Sequence, residues 1–427
     1  MPKAAQQSPM RTFLVSGVGT ALEFYDFLIY GLAAALVFGT VFFPSENPMI
    51  GVLLGFASFG TGFLARPLGG IVIGHFGDRI GRRAMLVLTL IVMGVCTFAI
   101  GCLPGYETIG IAAPIILVLL RLVQGFAAGG EWGGAALFGI ERAPEGRRGL
   151  WGSFTSMGIG LGSLLGVFVF AVTSAAFGGD LAEFAWRIPF WIGGIVVVIG
   201  LVARLIVMED DAPHSPEPSS SSLPIVQVLR TRPKALLLSV GISYGYNTLA
   251  YVGFTFLLSY VTQFGFDQTQ SLIAQLVYCA VLFATAPIAA VVSDRIGRKP
   301  TMIGGAVLGG AMLFAFFAIV QNKSVGALIL GFALAGITTA ITQGPIPAFL
   351  GEQFPKQMRY SGVSAGYQVG AAIGGGTAAF IATALLIAFD SNPLSVALYG
   401  AFAMLVLAVC SLAARETAHL STDSLDH

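Results

Sequence analysis

Apolar runs of about 20 residues, each long enough to cross the hydrocarbon of a bilayer as a helix, recur along this whole chain and limit what it can fold into. Twelve can be counted: 13–37, 50–73, 84–103, 112–140, 150–177 and 187–208 in the first half, then 235–262, 269–293, 300–320, 325–350, 360–388 and 393–414. Lipid offers no hydrogen bonds to an open backbone, so runs of this length cross it as helices. Of the 427 residues, 56% are hydrophobic and only 10% charged, against about 25% charged in a soluble domain. The expected fold class is an all-α membrane protein with twelve transmembrane helices.

Short cytoplasmic loops collect Lys and Arg. With the N-terminus inside, 17 of the 22 basic residues fall in cytoplasmic segments, and both termini are then expected to be cytoplasmic. A cleaved signal peptide would need a short apolar core, but Glu23 and Asp26 stand where that core would be. Cys96, Cys102, Cys279 and Cys410 have no metal-ligand spacing and read as packing residues. The net charge of +1, with no basic patch interleaved with aromatics, leaves nucleic acid without a footprint. The expected partners are the lipid bilayer and a small solute.

The chain repeats itself. "DRIGR" at 78–82 returns at 294–298, and Glu141, Pro144 and Arg148 are echoed by Glu352, Pro355 and Arg359 at the same spacing. Two six-helix bundles are expected, residues 1–208 and 233–427, joined by a cytoplasmic linker at 209–232. The linker's "MEDDAPHSPEPSSSSLP" can neither bury a core nor span lipid. Asp210, Asp211 and His214 within it read as solvated residues, so no metal site is expected.

"GHFGDRIGRR", "VVSDRIGRK" and "RLVQGFAAGGEWGGA" resemble the major facilitator superfamily, in particular its metabolite:proton symporter family. Within that family "GFAAGGEWGGAAL", "RYSG", "GYQV" and "GGG" are most similar to the shikimate transporters, although Ser156 stands where close relatives often carry glutamine. The resemblance implies two rocking bundles around a cavity lined by helices 1, 4, 7 and 10, in a bacterial inner membrane. The fifth span lacks the Gly-Pro pair that marks antiporters of the superfamily, which favours symport.

Ionisable residues inside a span are costly and face a cavity or a partner. Glu23, Asp26 and Tyr30 share one helical face, and Arg121 and Gln124 share another. At 1.5 Å per residue the acids and Arg121 lie at about the same depth. Asp26 and Glu23 are therefore expected to couple protons, with Arg121, Gln124 and Tyr30 on the substrate. With Arg121 as their one assigned cation, one acid is expected to stay ionised and the other protonated. Arg66 and Glu131 can be read as gating or as structural residues.

The second half has no charge deep in a span, and its Asn247, Gln343 and Gln368 are expected to read substrate hydroxyls. Glycines at 158, 162 and 166 and at 362, 366, 370 and 374 form ladders for close helix packing. In the loops Asp78, Arg79 and Arg82, with Asp294, Arg295 and Arg298, are expected to gate, each aspartate accepting from a helix N-terminus and pairing with a nearby arginine.

The function expected is proton-coupled uptake of a small hydroxylated carboxylate, with shikimate as the expected solute, by a monomer without cofactors. A symporter for another organic acid such as a dicarboxylate or alpha-ketoglutarate, or for proline or betaine, is the alternative in the same class. A tail too short for a coiled coil of several heptads weighs against the osmoregulatory version. A solute sensor that does not transport is the alternative of another class. No Ser/His, His-E-x-x-His or paired metal-ligand pattern occurs in the spans, so an enzyme is not expected.

Overall fold

The computed structural model describes residues 9–80, 82–129, 131–177, 181–208 and 224–420. The side chains of Asp78, Arg79, Arg82 and Glu131, like residues 209–223, lie outside the described residues. The first bundle comprises α1 (Val18–Leu36), α2 (Pro48–Ile80), α3 (Arg82–Cys102), α4 (Ala112–Ala128, continued by Glu131–Glu141), α5 (Arg148–Ala176) and α6 (Arg187–Met208). The second comprises α7 (Pro233–Tyr251, continued to Gln263), α8 (Gln268–Ile296), α9 (Arg298–Val320), α10 (Val325–Gln343, continued by Ile346–Gly351), α11 (Arg359–Ile373 and Gly375–Ala388) and α12 (Leu394–Ala413). A short helix, Pro224–Thr231, lies within the stretch expected to be linker and packs on α11.

Among the described residues, ten of these helices are individually long and apolar enough to cross a membrane. In α3 the apolar stretch is shorter, Val87–Cys102. α7 is diluted by Ser239, Ser243, Asn247 and Thr248, all buried inside the protein. Outward faces are apolar instead: on α12, Leu398, Phe402, Leu405, Val409 and Leu412 are exposed at helical spacing, while Val396, Gly400, Ala403 and Leu407 on the other side are buried. Such a stripe suits lipid.

The internal repeat is visible in the packing. In the first bundle α1 lies on α5, α2 on α4 and α3 on α6; in the second, α7 lies on α11, α8 on α10 and α9 on α12. The bundles meet along two seams, α2 against α11 and α5 against α8. The arginine-bearing loops after α4, α8 and α10 share one end of the molecule, the basic end. There the glycine of the second "DRIGR", Gly297, has φ +111°, a left-handed conformation that turns the chain sharply from α8 into α9.

Both glycine ladders do what small residues do in lipid, letting backbones touch. A Cβ on Gly162 would sit 2.1 Å from the carbonyl oxygen of Ala21 in α1, and one on Gly370 2.4 Å from Ser243 Cβ in α7. Gly162→Val therefore forces α5 away from α1, an overpacking change that costs about 1–3 kcal/mol. Thermal unfolding in detergent is expected to show a clear loss of stability for that variant and none for Gly304→Ala, where a new Cβ meets open space.

Candidate functional site

Four charged side chains meet inside the first bundle. Glu23 and Asp26 on α1, Arg66 on α2 and Arg121 on α4 are each at most 1% exposed. Arg66 Nη2 binds Glu23 Oε1 at 2.8 Å, and Arg121 Nη1 lies 3.9 Å from Asp26 Oδ2. Each acid thus has its own guanidinium. The sequence reading gives Arg121 to one acid and leaves the other without a cation; the structure supplies one, since Arg66, whose role the sequence leaves open, is the partner of Glu23.

The helices can bring these groups together because α2 and α4 touch backbone to backbone. A Cβ on Gly125 would fall 1.8 Å from the Gly62 carbonyl oxygen, and one on Gly62 would fall 2.7 Å from Arg121 Nε. Aromatic rings supply the remaining surroundings. Phe27 lies under both guanidiniums, 3.8 Å from Arg66 and 4.1 Å from Arg121, and Tyr30 lies 4.3 Å from Arg121. A cation over a ring face is attracted by its quadrupole, more strongly where water is absent. The Tyr30 hydroxyl donates to Ser58 Oγ at 2.9 Å.

Asp26 is held by neutral donors as well. Gln124 Nε2 lies 3.2 Å and 3.1 Å from its two oxygens, and Thr97 on α3 donates to Oδ1. The amide of Gln124 is oriented from its other end, since Oε1 accepts from Arg121 Nη1 at 3.3 Å. Two buried atoms of Arg121, Nε and Nη2, have no hydrogen-bond partner. A guanidinium with two such N–H groups can take a carboxylate in a forked pair.

The second bundle closes over this cluster with neutral groups. Tyr251 packs on Phe63 and Phe59, with centroids 5.0 Å and 5.7 Å away. Tyr251 and Tyr367 are near enough to feel the charges of Arg66 and Glu23. Tyr367 also stacks flat on Trp132 of α4 at 3.4 Å. The three amides singled out in the sequence are buried but engaged with backbone. Gln343 Nε2 donates to the Ser156 carbonyl at 3.1 Å, and Gln368 Nε2 to the Gly129 carbonyl at 3.1 Å, both across the bundle seam. Asn247 donates within its own helix to Ser243, at 2.8 Å. Ser156, the residue that departs from close relatives, answers Gln343 by donating to its carbonyl at 2.7 Å.

A second polar cluster clasps the bundles at the basic end. Asp294 accepts from the backbone N–H groups of Gly149 and Leu150, at 2.8 Å and 3.0 Å, so an acid in the last turn of α8 in one bundle caps α5 of the other. Arg298 binds Asp294 at 2.8 Å and grips Glu352 with Nε and Nη2, each at 3.1 Å. Arg148, from the first bundle, reaches Glu352 at 3.3 Å. Arg295 is exposed at the end of α8. The side chains of Asp78, Arg79 and Arg82 in the first "DRIGR", expected to gate, lie outside the described residues, as does that of Glu131.

The segment after α12 is woven into this clasp. Glu416 accepts from the N–H groups of Arg298 and Lys299 at 3.0 Å and 2.9 Å, which caps α9. Thr417 donates to Glu352 Oε2 at 2.6 Å, and the carbonyls of Thr417 and Leu420 accept from Arg148. Beside it lies a cavity of about 340 Å³, lined in part by Glu141, Glu145, Arg359 and His419. Sequence reasoning missed Thr97 and the tail residues, because a lone threonine or glutamate carries no periodic signal.

The Major Facilitator Superfamily profile matches residues 18–285 and 247–425. The chain is 38% identical to the Shikimate transporter of Escherichia coli (strain K12), covering 97% of this chain and 94% of that one. It is 35% identical to the Inner membrane metabolite transport protein YhjE of the same organism, covering 96% and 95%. Its fold is similar to the crystal structure of a D-xylose-proton symporter, with a TM-score of 0.73 at 18% identity, covering 93% of this chain and 97% of that one.

Glu416 gives the clasp a pH dependence. Burial pushes its carboxyl up, but hydrogen bonds from the N–H groups of Ala418, Lys299, Arg298 and Thr417 outweigh burial and hold it below the ordinary glutamate value. A carboxyl depressed by folding contributes stability that is present above its ordinary value and is lost as pH falls through the depressed one. Glu416→Gln is therefore expected to melt below the parent at neutral pH, and the gap is expected to close as pH falls below the ordinary glutamate range. Thermal unfolding of both proteins across that range checks the sign.

Proposed function

The chain belongs to the Major Facilitator Superfamily, and from that premise we propose that it is a proton-coupled symporter for a small hydroxylated carboxylate, shikimate or a close analogue. The observation that carries the reading is Arg121, fully buried, 3.9 Å from an acid, with two N–H groups lacking partners. The similarity to a shikimate transporter over nearly the whole chain supports the choice of solute.

In this reading Arg121 receives the carboxylate of the solute in a forked pair. The arriving anion and Asp26 then share one guanidinium, and two like charges on one cation make proton uptake by Asp26 more favourable. Binding of anion and proton is thereby mutually reinforcing, and by linkage the reinforcement is equal in both directions. Glu23, already bound to Arg66, is the second candidate for a proton and the less exchangeable one. Asn247, Gln343 and Gln368 read the solute's hydroxyls as the bundles rock, the latter two on release from their backbone partners across the seam.

The same reading makes the basic end cytoplasmic, with both termini inside, in a bacterial inner membrane. Residues 1–208 and 233–427 rock as two units about the 209–232 linker, and the protein works as a monomer. The clasp of Asp294, Arg298, Glu352 and Arg148 then closes the cytoplasmic side, with Asp78, Arg79, Arg82 and Arg295 assisting.

Asp26→Asn is expected to abolish uphill, proton-driven accumulation of shikimate in proteoliposomes while exchange between loaded vesicles continues. Undiminished accumulation would remove Asp26 from coupling. Arg121→Lys keeps the charge but loses the fork, and shikimate affinity is expected to fall at least about tenfold, which is about 1.4 kcal/mol. Equal affinity in a direct binding assay would return Arg121 to a structural role, and a protein that binds shikimate but never moves it would be a sensor.

A further inference from the structure

α3 contributes one hydroxyl to the Asp26 cluster, and the cluster's protons can be counted around it. Thr97 Oγ lies in hydrogen-bond contact with Asp26 Oδ1, 2.8 Å from the Met93 carbonyl oxygen and 3.0 Å from Gln124 Nε2. A threonine hydroxyl has one hydrogen and two lone pairs. The Met93 carbonyl and an ionised Asp26 both only accept, so one hydrogen serves one of them at a time.

We propose that Thr97 is a positioning residue for proton uptake: its hydroxyl turns between Asp26 and the Met93 carbonyl, so that the carboxyl is hydrogen-bonded in both of its protonation states. The inference rests on the reading of Asp26 as the proton carrier. With Asp26 ionised, Thr97 donates to Oδ1 and Gln124 donates alongside it. When a proton binds Oδ1, the carboxyl donates to Thr97 Oγ and Thr97 passes its own hydrogen to Met93. One proton is added, no bond between heavy atoms forms or breaks, and only a hydroxyl rotates.

The alternative acceptor for that proton is blocked. Gln124 presents its NH₂ to Asp26 because its Oε1 accepts from Arg121 Nη1, and a flipped amide would aim NH₂ at the guanidinium. Thr97, Asp26 and Gln124 are each at most 1% exposed, so water is no substitute and an unmade bond is costly. The titratable and charged groups around Asp26 include Glu23, Tyr25 and Tyr30 on α1, Arg66 on α2, Cys96 on α3 and Arg121 on α4.

Infrared pH-difference spectra of the purified full chain test this without a solute. The stretching band of the protonated Asp26 carboxyl is identified by its loss in Asp26→Asn. Thr97→Val keeps the shape but has no hydroxyl, and its band is expected to move to higher frequency. Its titration midpoint is expected to shift by at least about half a pH unit, roughly a threefold change in proton binding. Thr97→Ser restores the hydroxyl and is expected to behave as the parent, which separates this role from simple packing. If Thr97→Val elutes as folded protein with the parental band and midpoint, the Thr97 inference is wrong and the Asp26 reading stands. If no titrating band disappears in Asp26→Asn, the carrier reading itself fails, and the role of Thr97 with it.

Discussion

A charge without water must find a partner, and most of the first bundle is arranged around that requirement. Removing one member of a buried pair commonly costs about 3–5 kcal/mol, so the pairing of Glu23 with Arg66 and of Asp26 with Arg121 constrains four residues on three helices. Meeting it demands that α2 and α4 come closer than side chains allow, and glycines 62 and 125 permit it. Phe27 then fills the space between the helices while also attracting both guanidiniums. Electrostatics, backbone contact and aromatic packing are here one arrangement.

The two ends of the bundle seam are joined by different chemistry. Away from the basic end, Tyr251 rests on Phe59 and Phe63, and Gly60 meets the backbone of Gly376. At the basic end the joints are ionic and helix-capping: Asp294 on α5, Glu416 on α9, and Glu352 between two arginines. Apolar joints part with little directional preference, whereas a carboxylate holding two backbone N–H groups is fixed in angle as well as distance. The basic end is therefore the one with a defined closed geometry.

The fold was largely legible because lipid simplifies the code: run length gives helices, and basic residues mark loop ends. The repeat motifs predicted two six-helix halves, and the packing repeats between them, α1 on α5 in one and α7 on α11 in the other. The depth argument placed Asp26 with Arg121. It missed that Arg66 belongs to Glu23, because rotation about the helix axis, unlike depth, depends on which neighbours a helix chooses. Thr97 was invisible for the same reason: threonine is ordinary in a membrane helix, and only the approach of α3 to α1 gives it a task. The amides of Gln343 and Gln368 looked like substrate groups by residue type, and the structure places them on backbone carbonyls across the seam. Polar type in a span signals a partner without saying which.

The clasp at the basic end draws on residues 415–420, which follow α12. Translation proceeds in that order, so the segment leaves the ribosome after α12. Glu416 can cap α9, and Thr417 can reach Glu352, only after α1 to α12 have been synthesised. Until then Arg148 lacks the two carbonyls it binds in the finished fold. The clasp at this end is thus completed only after α12 has been made, by a segment whose Thr417 and Ala418 are buried against the helix ends they join.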